Sequence, residues 1–245
     1  MNAQTPRESV EKLQANRRVL DGDDERFTGY GIMGMPFASG HYLTYRDMVT
    51  SSVGPPYRAI WHRDPNGSWT ISTSQAPEVS CPRYFGSAAR VERVPAIDVS
   101  WVTDHDFQVN LGDELSWQIA LAATPATRAM TAMGSTMPTA AWTSPSVLRS
   151  MGPMARAVLR SGRVRLYGVT PNGPRFKAAP LQIWRVVGTR AMWRGLELGA
   201  HAPLSNQTRL ADFWLPQRGL FFIGDARFSA AHTTTTSSHE SRIAS

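Results

Sequence analysis

Two short strings hold most of the side chains that could do chemistry. The first is Trp61-His62-Arg63-Asp64. In an extended strand His62 and Asp64 point to one face, so the Asp64 carboxylate could orient the imidazole for general acid–base work. Asp64 also opens the run Asp64-Pro65-Asn66-Gly67, where its side chain would bond turn backbone. Of the two roles, the turn has the stronger claim. The second string is Cys81-Pro82-Arg83-Tyr84-Phe85-Gly86. Arg83 and Tyr84 offer donors beside aromatic surface, which suits a partly polar ligand or, equally, an arginine stacked on core aromatics. Cys81 could be a nucleophile if His62 or Arg83 stabilised its thiolate. An unpaired cysteine is more often a small buried hydrophobe.

Other chemistry finds little support. His41, His62, His105, His201, His232 and His239 show neither HxH nor HxxxH spacing, and no CxxC occurs, so no metal is expected. A site assembled from distant strands, such as His41 with His62 and Asp64, stays open. No GxSxG elbow is present. Gly29-Tyr30-Gly31-Ile32-Met33-Gly34 spells GxGxxG but leads into Met35-Pro36-Phe37 rather than a helix. The phosphate reading fails on that context, and the glycines are expected to relieve crowding at a bend. No cofactor is implied.

The elements that must position these residues are mostly strands. In 96–102, Ile97, Val99 and Trp101 alternate with Asp98 and Ser100; in 114–122, Leu115, Trp117, Ile119 and Leu121 alternate with polar or small residues. Such period-two patterning predicts half-buried strands, and it recurs at 40–47, 57–63, 68–74, 163–169, 181–188, 190–198 and 219–228. Pro-Asn-Gly at 65–67 and at 171–173 predicts hairpin corners. The exception is 125–161, read as a helical insertion whose clearest helix starts at Ser144-Pro145 and ends near Gly162. Leu148, Met151, Ala155, Val158 and Leu159 form its apolar stripe. A cover packed on the sheet is the stronger reading of this helix, a membrane-surface helix the weaker.

Residues 1–26 form a polar N-terminal segment with a short helix, 27–229 the β domain, and 230–245 a Thr/Ser-rich tail expected to be disordered. The net charge is +7, yet all basic residues except Lys12 and Lys177 are arginine, and they are scattered. A scattered charge argues against nucleic acid as partner. One cysteine excludes an intrachain disulfide, no signal-peptide or membrane-spanning stretch is seen, and a cytoplasmic protein is expected.

Together, Trp61-His62-Arg63-Asp64-Pro65-Asn66-Gly67-Ser68-Trp69, Cys81–Gly86 and the corner at 171–173 resemble uncharacterised actinobacterial proteins. Those are similar in architecture to lipocalin-like barrels of the hydroxyneurosporene-synthase type. The resemblance implies an all-β, mainly antiparallel fold, a large single or two-lobed barrel with an apolar cavity, over residues 28–228. It transfers no catalytic residue. Eight tryptophans, six of them on expected strands, and several methionines would suit the wall of such a pocket. The expectation is therefore a barrel that binds a hydrophobic small molecule, isoprenoid- or acyl-like, with Arg83, Tyr84, His62, Trp101, Trp117 and Trp184 at the ligand. Two other readings stay open: a hydratase or cyclase using His62 or Asp64 as acid, and a structural protein with a filled interior.

Overall fold

The computed structural model describes residues 4–229. The expected disordered tail, 230–245, lies outside the described residues. In chain order the elements are α1 (Pro6–Ala15), β1 (Glu25–Pro36), β2 (Tyr42–Ser51), β3 (Tyr57–Arg63), β4 (Trp69–Thr73), α2 (Pro82–Phe85), β5 (Arg90–Arg93), β6 (Asp98–Trp101), β7 (Asp106–Leu111) and β8 (Leu115–Ala122). Three helices follow: α3 (Pro125–Thr136), α4 (Thr139–Thr143) and α5 (Pro145–Leu159). The chain then returns to strands β9 (Tyr167–Val169), β10 (Arg175–Trp193), β11 (Leu196–Glu197), β12 (Arg209–Leu210), β13 (Phe213–Trp214) and β14 (Leu220–Ser229).

Twelve strands form one sheet ordered β5-β4-β3-β2-β1-β14-β10-β8-β7-β6, with β9 and β11 paired to β10. Every pairing is antiparallel except β4 with β5. The sheet curls on itself into a half-barrel. Tyr45 of β2 packs against Phe107 of β7, and His62 of β3 stacks on Trp193 of β10, although these strands are far apart in sheet order. The concave face holds Tyr30, Ile32, Leu43, Tyr45, Ile60, Trp117 and Phe221, and α1 closes this side by burying Val10 there. Thr5 and Glu8 form a capping box that starts α1.

Glycine permits the curl. A Cβ on Gly29 would lie 2.1 Å from the Asp47 carbonyl oxygen, and one on Gly31 would lie 2.0 Å from that of Tyr45. The GxGxxG string thus lets β1 and β2 cross closely, with register shifts at 28/29 and between 32 and 35. Both Pro-Asn-Gly runs are hairpin corners, Gly67 at φ 98° and Gly173 at φ 103°.

Several expectations need correction. The segments 181–188 and 190–198 are largely one bent strand, β10, and only Tyr167–Val169 of 163–169 is strand. The helix expected at 145–161 ends at Leu159, with Arg160, not Gly162, as the left-handed cap residue. Ser144 sits at its N-cap position without a side-chain cap bond. Of the expected α5 stripe, Leu148, Met151, Ala155 and Leu159 are buried against the rest of the protein, as a cover requires, whereas Val158 is exposed. No described helix is long and apolar enough to cross a membrane.

Candidate functional site

The string Cys81–Gly86 becomes a short helix because Pro82 supplies a preset φ at its first turn. The distant Pro-Asn-Gly corner fixes its position. Asn172 donates its side-chain amide to the carbonyls of Pro82 and Arg83 (3.2 and 3.0 Å) and accepts from the Ser87 amide at 2.9 Å. Arg83 and Tyr84 converge on one carboxylate. The Arg83 guanidinium lies 2.5 Å from Glu25 Oε1, and the Tyr84 hydroxyl donates to Oε2 at 2.5 Å. The Arg83 guanidinium holds the Glu25 carboxyl below the usual carboxylate range, against the opposing effect of burial.

Behind this helix, on the convex face of the sheet, lies a cavity of about 100 Å³. The sheet floor supplies Phe27, Met33, Met48, Trp61 and Phe222; α2 supplies Tyr84 and Phe85; α3 and α5 supply Met130, Ala155 and Leu159 as a roof. Phe213 of β13 closes another side. Alternation explains the floor, since Tyr42, Arg46 and Met48 share the convex face of β2 while Tyr45 and Asp47 face the concave core. Volume matters here. An apolar cavity of ~150 Å³ holds benzene, whereas drug-sized ligands need at least ~300 Å³. The methionines are unbranched and can swing to enlarge the space.

Several polar side chains border the cavity. Arg46 is only 6% exposed. Its guanidinium carbon sits 5.0 Å from the Trp61 ring centre and 5.5 Å from those of Phe213 and Phe222. Beside it the Cys81 thiol meets the Tyr57 hydroxyl at 3.3 Å, and burial pushes both groups up, so both are neutral. Further along, Asp225 accepts from the Thr28 hydroxyl at 2.8 Å, and burial raises its carboxyl. Lys177 also borders the cavity but pairs with Asp24 at 3.1 Å.

Of the residues expected at the ligand, the structure brings only Tyr84 to this cavity. Arg83 faces solvent on Glu25. Trp117 and Trp184 belong to the concave core, and Trp101 packs against it. His62 also faces that side, its ring stacked on Trp193 with centroids 3.9 Å apart and bonded to His41 nitrogen to nitrogen at 2.7 Å. Burial, and next the His41 ring, push His62 down to about 4 against the opposing pull of Asp64, so it stands neutral. The Asp64 side chain accepts from the Ser68 amide at 2.9 Å, the turn role. Neither His62 nor Arg83 accompanies Cys81, which is buried. Among the described residues no group of three or more His, Cys, Asp or Glu side chains is placed to hold a metal ion. Arg46 was missed, although an arginine between Tyr42 and Met48 on one strand face is the visible sign of a charge in an apolar row.

No family model matches the chain, and no curated protein matches it. Among solved structures it is similar to acetoacetate decarboxylase from Legionella pneumophila subsp. pneumophila str. Philadelphia 1, over 88% of this chain and 92% of that one, at 8% identity and a TM-score of 0.39. A likeness that shallow says nothing of this chain's chemistry.

Proposed function

We propose that the protein binds a small molecule with an apolar body in the cavity between the convex face of the sheet and its helical cover. The observation that carries this reading is the cavity itself, walled by Phe27, Trp61, Phe85, Phe213, Met33 and Met130. Removing apolar surface from water stabilises a guest by roughly 25 cal/mol per Å². The resting space is smaller than one that holds benzene, so a single ring enters with some methionine movement, and an isoprenoid or acyl chain only if Met33, Met48 and Met130 all change rotamer. Toluene is a suitable probe. At ten times its dissociation constant it should raise the melting temperature by about 2–4 °C. Ala155→Leu, which extends a roof side chain into the space, should abolish the rise. No rise in the wild type, or an equal rise in the variant, would contradict the reading.

A second reading adds catalysis, favoured by one observation: Asp225 borders the cavity with its carboxyl raised by burial, as a proton donor to an apolar substrate requires. Here Asp225→Asn should keep the guest bound while ending its conversion, read as a mass change of the released molecule. Conversion unchanged in the variant would remove Asp225 from the chemistry.

A further inference from the structure

Resting on the binding reading above, we infer that the guest is a monoanion, a short carboxylic acid whose carboxylate meets Arg46 at the floor of the cavity. An arginine cannot shed its charge inside a protein, so burial leaves it needing a counter-charge or a full set of acceptors. Arg46 has neither among the described residues. No Asp or Glu oxygen lies within 4.0 Å of its nitrogens, Nη1 reaches only as far as Met33 Sδ at 3.4 Å, and the buried Nη2 has no hydrogen-bond partner. A thioether is a weak acceptor.

The rings of Trp61, Phe213 and Phe222 hold the cation by its faces but accept none of its N–H groups. The groups beside Arg46 able to become anions, Cys81, Tyr57 and Tyr42, are kept protonated by burial, and burial also raises the Asp225 carboxyl further along the cavity. A guanidinium parked on three aromatic rings with its fork unpaired is therefore shaped for an acceptor pair from outside the chain, and a carboxylate matches that fork. The size and lining of the cavity select the rest. With Lys177 committed to Asp24, Arg46 is the one unpaired cation among the described residues that line the space, which suits one negative charge rather than a phosphate dianion. About 100 Å³ of apolar volume limits the body to a short branched chain or, with methionine movement, a single ring.

Benzoate, benzamide and toluene separate the two claims on the intact chain. They share a ring, and the first two share a shape while differing in charge. Titrated by calorimetry, benzoate should bind at least roughly tenfold more tightly than benzamide, as a charge-assisted pair contributes over a neutral one. Arg46→Met should erase that gap while toluene still binds. The wild-type comparison stands even if the variant fails to fold. Benzoate binding no more tightly than benzamide, with toluene bound, overturns the carboxylate and leaves the cavity reading intact. Binding of none of the three overturns both. A gap that persists in Arg46→Met would assign the charge to another residue.

Discussion

At the scale of single residues, the structure contrasts two ways of burying a titratable group. Arg46 must stay charged, and its cost is carried by aromatic faces. His62 gives up its charge. The sign of the resulting pH dependence follows from its depressed value. Unfolded, the imidazole takes a proton near 6.5; folded, only near 4, so the folded state resists protonation. Stability is therefore full above about pH 6.5 and falls as pH drops towards 4. Urea denaturation at pH 7.5 and 4.5 should differ by roughly 2–3 kcal/mol from this residue. His62→Gln should remove most of that difference, and an unchanged dependence would show that the acid sensitivity lies elsewhere. The string around His62 was legible as a polar cluster, but not its partner. Asp64, two residues away, has the turn as its stronger role and takes it; His41, across the β2–β3 ladder, holds the ring. Sequence spacing reveals neighbours along a strand and not those across it.

Elements show the same limit at larger separation. Strands β7 and β8 bury one face and alternate cleanly, and β8 was legible for that reason. Strand β2 is buried along nearly its whole length, since the concave core covers one face and the cavity and its helices the other. Alternation fades when both faces are dry, so β1 showed itself only as a glycine string. That string now has a mechanical role. Gly31→Ala would press a methyl against the Tyr45 carbonyl and force β1 from β2, costing about 2–3 kcal/mol. A thermal melt within error of wild type would refute the close-crossing account. The helical insertion was recognised as a cover, yet what it covers was not evident: α3 and α5 roof the convex face, so the space beneath them lies outside the curl of the sheet.

For the whole molecule, the mainly antiparallel, curled all-β architecture follows from the alternating segments and the two Pro-Asn-Gly corners. The strand order does not. Strand β14 joins β1 to β10, linking the two ends of the described chain, and no local pattern encodes that pairing. This topology decides where a guest can sit. The tryptophans expected to wall a barrel interior, Trp117 and Trp184 with Trp101 against them, fill the concave core together with Phe107 and Phe221. The apolar space lies on the opposite face, and the methionines mark it. Methionine methyl NMR with toluene tests this placement directly. The resonances of Met33, Met48 and Met130 should move and saturate together, while the indole signals of Trp117 and Trp184 stay fixed. Movement of the indoles with the methionines silent would put the guest inside the curl and contradict the account.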